Sequence, residues 1–209
     1  MNFDDFRLAT SKLPVIKTNH LKVLFRYNQT IKMQLLRWTK AKKLVRLRKD
    51  IYMLNEHDRR MAVSRQFLAQ EIYMPSYISM EYALAYHGLI PEKSEDITCI
   101  TTRKKKNFTN DTGTYRYLHV KTSCFTGYRE HKDENGLQYF LALPEKALVD
   151  FLYLNRNTIK GDMRQQLRES FRLQNLDILK RSRLRGYCLL FNNKKLNALI
   201  AAVEELSND

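Results

Sequence analysis

The chain has 209 residues, of which 44% are hydrophobic and 28% are charged. This balance is typical of a folded globular protein and excludes collagen-like repeats, a disordered chain and a disulfide scaffold. The 37 Lys and Arg residues outnumber the 22 Asp and Glu residues and give a net charge of +15. An excess of this size is typical of proteins that bind a polyanion, so the sequence favours nucleic acid as a partner.

The cysteines and glycines argue against a cofactor or a metal site. Cys99, Cys124 and Cys188 are odd in number and far apart, unlike the paired ligands of a zinc site. No glycines have the spacing of a nucleotide-binding loop. We therefore expect no cofactor and no metal. The sequence also lacks a signal peptide and any run of 18 apolar residues, which predicts a cytoplasmic protein without membrane contact.

The positive charge is concentrated near the N-terminus. Residues 1–75 contain 16 basic and 6 acidic side chains, whereas residues 76–209 contain 21 and 16. The stretch 17–49 holds eleven Lys and Arg residues and no acid, so it repels itself unless a partner neutralises it. This stretch is either a solvated basic surface or a phosphate-binding face. We predict a DNA-binding domain with a linker helix over 1–75 and a second domain over 76–209.

The basic stretch has the pattern of two short helices joined by a turn. A helix over 18–25 is predicted first, then a turn over 27–29, then a helix over 30–41. In the second helix Ile31, Leu35 and Trp38 share one face and predict a core contact. The side chains predicted on its exposed face, and therefore as DNA-binding, are those of Gln29, Thr30, Lys32, Met33, Arg37 and Lys40.

A basic hairpin follows the second helix. Residues 44–48 and 51–54 are strand-like, and Lys49 and Asp50 form the turn between them. Alternation along the first strand predicts that Arg46 and Arg48 lie on one side. Helix, turn, helix and hairpin in this order predict a winged helix-turn-helix, whose second helix enters the major groove. The hairpin and the two lysines that precede it complete the predicted DNA-binding set. These residues are Lys42, Lys43, Arg46, Arg48 and Lys49.

The second half alternates strand-like and helical segments, which predicts a mixed α+β domain that ends in helices. A helix over 59–71 either closes the first domain or links it to the second. A helix over 76–88 ends at Gly88 and is followed by Pro91. The strands are predicted over 96–102, 115–120, 125–128 and 138–142. The remaining helices are predicted over 144–154, 160–172, 175–184 and 192–206.

Several segments resemble the AbiEi-type family of antitoxins and transcriptional regulators. They are PSYISMEYALAYHGLIPE at 75–92, TTRK at 101–104, LPEKALVD at 143–150 and LVRLRKDIY at 44–52. The resemblance spans about residues 10–155. It implies a winged helix-turn-helix that represses its own operon by binding the operator as double-stranded DNA. It also implies a C-terminal domain that counteracts a cognate nucleotidyltransferase-like toxin, as in type IV systems.

The chain departs from this family in two turns. Asp50 stands where the family commonly has glycine in the wing turn, and residues 41–43 also lack the usual glycine. These departures concern the geometry of the predicted wing, because glycine is the residue that most readily adopts a positive φ.

A row of cations four residues apart is predicted to lie along one helix face in the C-terminal region. Its members are Lys160, Arg164, Arg168 and Arg172. The row is either a solvated face or a surface that binds an acidic toxin or further DNA, and we include it as a candidate partner-binding site.

Two other functions remain open from the sequence. A metal-dependent nuclease requires converging carboxylates, for which the candidates are Glu81, Asp96, Asp111, Glu145 and Asp150. Glu145 and Lys146 are adjacent in a predicted helix and point about 100° apart, which does not match a nuclease site and predicts a non-enzymatic protein. An RNA-binding or scaffolding protein would share the charge without needing a wing.

Overall fold

In a computed structural model, which describes residues 1–25 and 29–207, the chain forms an α+β fold with two β-sheets. The mixed α+β class predicted from the sequence is confirmed. The smaller sheet has three strands and the larger sheet has six. We call them the small sheet and the large sheet.

The small sheet and three helices are built from the N-terminal residues. These elements are α1 (Phe3–Thr10), β1 (Ile16–Lys17), α2 (Thr18–Phe25), α3 (Gln29–Lys40), β2 (Leu44–Arg48) and β3 (Ile51–Leu54). The strand order is β1-β3-β2, and both pairings are antiparallel. The helices predicted over 18–25 and 30–41 and the predicted hairpin are confirmed. Of the turn predicted at 27–29, Tyr27 and Asn28 lie outside the described residues, and Gln29 begins α3.

The large sheet is mixed and carries the remaining strands. They are β4 (Ser76–Ile78), β5 (Ile97–Thr101), β6 (Lys106–Asn110), β7 (Gly113–His119), β8 (Tyr128–Lys132) and β9 (Gln138–Ala142). The order is β6-β7-β5-β4-β9-β8, with parallel pairs β5–β7 and β4–β9. The helices of this part are α4 (Arg65–Ile72), α5 (Met80–Tyr86), α6 (Pro144–Asn155), α7 (Met163–Gln165), α8 (Arg181–Phe191) and α9 (Lys194–Leu206).

The two faces of the small sheet belong to different hydrophobic cores. Ile16 and Leu54 lie in a smaller core with side chains of α1, α2 and α3, among them Phe6, Leu21 and Leu35. Val15, Leu47, Ile51 and Met53 belong instead to the larger core, which surrounds the large sheet. Since side chains alternate across a strand, the small sheet lies between its own helices and the elements of residues 65–206, which we call the larger unit.

Helix α4 packs in the larger core, whereas the sequence left open whether this helix closes the first domain or links it to the second. Its N-terminus is capped by Ser64, whose hydroxyl accepts a hydrogen bond from the Phe67 amide at 3.2 Å. Phe67, Leu68 and Ile72 are buried in the larger core. The helix is therefore a structural part of that unit, and the division of the chain at residue 75 stays a prediction.

Several predicted helices are wrong in part. The helix predicted over 59–71 begins only at Arg65, and the one predicted over 175–184 is replaced by a 3-10 turn at Leu176–Ile178 and by α8 from Arg181. Residues 76–78 form β4, because they pair with both β5 and β9, and the helix begins only at Met80. The helix predicted over 160–172 is interrupted: α7 ends at Gln165, a π-helical turn follows over Gln166–Ser170, and Arg172 has a φ of 51°. A residue in the left-handed region ends a helix.

Among the helices of residues 1–25 and 29–207, none combines the length and apolar character that crossing a lipid bilayer requires.

Candidate nucleic-acid interface

Helix α3 has one buried face and one exposed face. Ile31 and Leu35 are buried in the smaller core. Trp38 packs on the same core, with its ring centroid 4.8 Å from that of Phe6 and 5.4 Å from that of Phe3. The three residues predicted to face the core therefore do so, and Trp38 is an aromatic packing residue rather than an exposed stacking platform.

The opposite face of α3 is open to solvent. All six α3 side chains predicted as DNA-binding are exposed: Gln29, Thr30, Lys32, Met33, Arg37 and Lys40. Met33 leaves 45% of its surface exposed, and Leu36 leaves 37%. Because the helices cover one face of the small sheet and the larger unit contacts the other, α3 presents these side chains away from the larger unit.

Two positive-φ residues shape the ends of the first hairpin strand. Lys42 has a φ of 55° in the turn between α3 and β2, and Asp50 has a φ of 65° in the turn between β2 and β3. Asp tolerates this conformation better than Lys, because its short side chain bonds locally. Both residues lie in the two turns where the family resemblance leads one to expect glycine. The turn geometry is thus present here without glycine.

The hairpin separates Arg46 from Arg48, and the expectation that they share one side is wrong. Arg46 pairs with Tyr52 of the smaller core, whereas Arg48 pairs with Ile51 of the larger core. A register shift between Arg46 and Arg48 produces this difference, since a β-bulge disrupts the alternation of a strand. Arg46 is exposed, and Arg48 is half-buried.

Arg48 lines a cleft of about 310 Å³ between the small sheet and the larger unit. From the N-terminal side the cleft is lined by Lys17, Arg48 and Asp50, and from the larger unit by Glu71 and Arg103. Two of these lining residues form an ion pair across the cleft, with Lys17 Nζ 2.6 Å from a Glu71 carboxylate oxygen. Among the described residues, the buried Arg48 Nε has no hydrogen-bond partner. Arg48 thus faces the cleft, away from the outer face of α3.

The other basic side chains of this surface lack neutralising acids. No ion pair of the described residues includes the candidate cations Lys32, Arg37, Lys40, Lys42, Lys43, Arg46 or Lys49. Lys43 Nζ lies 4.5 Å from the centroid of the Phe3 ring, which is a cation–π distance. Exposed cations that form no ion pair create a positive potential that attracts phosphate groups.

The C-terminal row of cations does not lie along one helix. Arg164 lies in α7 and its Nε donates to a Glu205 carboxylate oxygen at 2.6 Å, so its charge is paired. Arg172 lies beyond the π-helical turn, with Nη1 2.6 Å from Glu92. Lys160 precedes α7, and Arg168 lies in the π-helical turn; both are exposed. The break after α7 explains why the expected spacing of four does not produce one face.

A buried polar cluster in the larger core was not found by sequence reasoning. Lys146 and Asp150 are fully buried on α6, and Lys146 Nζ donates to Asp150 Oδ1. Asp150 Oδ2 accepts hydrogen bonds from Tyr77 at 2.9 Å and from Ser79 at 2.8 Å. Burial raises the pKa of Asp150, and the neighbouring Lys146 opposes that shift. Burial and the nearby Asp150 carboxylate also raise the pKa of Tyr77 well above its ordinary value.

The acids considered for a nuclease are not brought together. Asp150 belongs to the buried cluster, Asp96 pairs with Arg116 at 2.6 Å, and Glu145 accepts from the Lys180 amide at 3.0 Å. Within residues 1–25 and 29–207, no three His, Cys, Asp or Glu side chains form a group that could hold a metal ion. The exposed face of α3 with the hairpin is therefore the candidate site with the clearest chemistry.

Comparison of the chain with known protein families found no matching family model, and comparison with curated proteins found no match.

Proposed function

We propose that residues 3–54 form a winged helix-turn-helix that binds double-stranded DNA. The order α1-β1-α2-α3-β2-β3, with both strand pairings of the small sheet antiparallel, supports this assignment. The observation that carries the proposal is the outer face of α3, where exposed polar and basic side chains stand without acidic partners. We call residues 3–54 the DNA-binding unit.

In this proposal α3 enters the major groove. Arg37 is the α3 side chain best suited to base contact, because a guanidinium donates two hydrogen bonds to the major-groove edge of guanine. Thr30 and Gln29, at the start of the helix, supply shorter polar contacts. Arg46 and Lys49 lie on the hairpin and contact phosphate, which fixes position without reading sequence.

We further propose that the bound site is the chain's own operator and that the larger unit counteracts a nucleotidyltransferase-like toxin. This part rests on the resemblance of residues 75–92, 101–104 and 143–150 to AbiEi-type antitoxins. Many side chains of the first and last segments are core residues, among them Tyr77, Leu84 and Leu148. They support a shared fold of the larger unit more directly than a shared partner surface.

Competition binding tests the DNA-binding part. The full chain is titrated with a labelled duplex from upstream of its own reading frame, against an unlabelled scrambled duplex, at two fixed salt concentrations. Specific operator binding predicts that the scrambled duplex competes at least about 10³-fold less well. Equal competition by both duplexes would reduce the function to non-specific DNA binding, and stronger competition by RNA would favour the RNA-binding alternative.

Co-expression growth tests the antitoxin part. Cells that express a nucleotidyltransferase-like protein encoded beside this chain are expected to stop growing, and the full chain is expected to restore growth. A matched pair of variants separates the two functions: Arg37→Ala on α3 should reduce operator binding only, and Arg168→Glu on the larger unit should reduce rescue only. If Arg168→Glu restores growth as well as the parent does, Arg168 has no role in counteracting the toxin.

A further inference from the structure

The larger unit carries a second basic segment that the proposed function does not use. Residues 97–110 contain four cations and no acid, and the cations are consecutive: Arg103, Lys104, Lys105 and Lys106. All four are exposed, and no ion pair among the described residues includes any of them. We call residues 103–106 the basic loop. It connects β5 to β6, which is an edge strand of the large sheet.

The backbone of the basic loop is held in place at several points. The Tyr73 hydroxyl donates to the Lys104 carbonyl at 3.1 Å, and His119 Nδ1 lies 3.0 Å from the Arg103 carbonyl. Arg103 lies over the Tyr73 ring at 4.5 Å and donates to the Met74 carbonyl at 3.1 Å. Lys106 already belongs to the β6–β7 ladder. The charges therefore stand on a fixed backbone, which lowers the entropy cost of binding a ligand.

The basic loop adjoins the DNA-binding unit. Arg103 lines the same cleft as Lys17, Arg48 and Asp50, so the loop begins beside the hairpin turn. The contact continues along the neighbouring strands, because Asn110 at the end of β6 donates to the Leu47 carbonyl of β2 at 3.0 Å. The basic loop thus begins beside the hairpin turn, at the cleft that both units line.

We propose that the basic loop binds the phosphate backbone of the same duplex that the DNA-binding unit engages. The proposal rests on the proposed function and extends the contact to base pairs beyond the hairpin. Four adjacent exposed cations that form no ion pair among the described residues match a polyphosphate chain, and Lys side chains recognise phosphate as a point charge without base specificity. The loop should therefore add affinity and salt dependence, without adding discrimination between sequences.

The salt dependence of binding tests the proposal in the full chain. The variant Lys104→Gln/Lys105→Gln neutralises two lysine side chains. Among the described residues, neither side chain has a hydrogen-bond or ion-pair partner. If both contact phosphate, the slope of log K against log salt should flatten by about 0.9 for each contact. The ratio of operator to scrambled-duplex affinity should stay at the parental value.

A matched control removes two charges elsewhere. Lys132→Gln/Lys194→Gln changes net charge equally, with Lys132 on β8 at the opposite edge of the large sheet and Lys194 at the start of α9. An equal slope change in both variants would show a net-charge effect and overturn the proposal. If the parent binds DNA normally and Lys104→Gln/Lys105→Gln keeps the parental slope, the basic-loop proposal is overturned and the proposed function is not. Failure of the parent to bind DNA would instead overturn the proposed function as well.

A tethered cleavage reagent gives an independent measurement. Lys105→Cys can be labelled selectively, since Cys99, Cys124 and Cys188 are all buried. Burial also raises the pKa of Cys188 to about 11, which keeps its reactive thiolate scarce at neutral pH. An iron chelate on this thiol should cut the operator duplex beside the site protected by α3. Absence of cleavage, at a protein concentration where the labelled protein still protects the operator, would contradict the proposal.

Discussion

Arg46 and Arg48 are two residues apart on β2, yet their side chains lie on opposite faces of the small sheet. Arg46 lies opposite Tyr52 and is exposed, while Arg48 lies opposite Ile51 and lines the cleft beside the larger unit. Plain alternation would place them together, and the register shift at Leu47 prevents it. We therefore expect substitutions of the two arginines to have different effects on DNA binding.

Neutralising the two arginines one at a time should give different results. Arg46→Gln is expected to flatten the slope of log K against log salt by about 0.9, because it loses one phosphate contact. Arg48→Gln is expected to leave the slope at its parental value, since its guanidinium points into the cleft. Filter binding over a salt series measures both. Equal flattening in the two variants would show that Arg48 leaves the cleft when DNA binds.

The outer face of α3 should determine which duplex is preferred. Arg37→Ala or Thr30→Ala is expected to reduce discrimination between operator and scrambled duplex by about 1–3 kcal/mol, if either side chain contacts a base edge. Lys12→Ala serves as the control, because Lys12 is exposed and outside α3. A loss of affinity that is equal on both duplexes would mean that the α3 residues contact phosphate only.

Lys42 offers a way to separate turn geometry from charge. Its φ of 55° lies in the left-handed region, where a side chain with a Cβ costs roughly 1–2 kcal/mol. Lys42→Gly relieves that strain and is expected to raise the melting temperature. Lys42→Ala keeps the strain and is not expected to raise the melting temperature. Both variants lose the charge, so both should weaken DNA binding equally. Unequal binding would show that the turn, rather than the ammonium group, controls affinity.

The buried Lys146–Asp150 pair should be costly to break. Lys146→Met leaves an unpaired carboxylate in the larger core and is expected to lower the free energy of unfolding by about 3–5 kcal/mol. Adding Asp150→Asn removes that charge and keeps acceptors for Tyr77 and Ser79. The double variant should therefore be more stable than Lys146→Met alone. Urea unfolding of the parent, both single variants and the double variant gives the coupling energy.

The pH dependence of Lys146→Met has a definite sign. Burial raises the pKa of Asp150, and Lys146 lowers it, so removal of the lysine should raise the folded-state pKa further. A raised pKa means that the folded state binds the proton more tightly than the unfolded state. Stability of Lys146→Met is then greatest at acidic pH and is lost as pH rises through the folded pKa. A loss that is constant with pH would contradict this account.

Local sequence patterns predicted the two faces of α3, but they did not predict the contacts between elements. The spacing of Ile31, Leu35 and Trp38 gave the buried face of α3 and hence its exposed face, because helical periodicity is a local property. Strand β6 was not predicted, since KNFTN has no apolar alternation and joins the sheet only through β7. The register shift at Leu47 depends on the pairing of β2 with β3, which a single strand does not reveal.

Lys146 and Asp150 illustrate the same limit. Charged residues four apart on a helix normally predict a solvated pair, and their burial arises only when β4 and α8 pack on α6. The cleft and the adjoining basic loop likewise require the placement of the larger unit against the small sheet. These features follow from tertiary packing, and local sequence carries little information about them.

The shared small sheet has a consequence for how the protein lies along DNA. The larger core includes Leu47, Ile51 and Met53 of the hairpin and Val15 beside β1. The small sheet is therefore packed against the larger unit rather than joined to it by a flexible linker alone. In the proposed complex with DNA, the placement of α3 in the groove would fix which flank of the duplex the larger unit covers. The footprint on the operator should accordingly be asymmetric, with extra protection on one fixed side of the α3 contact and none on the other.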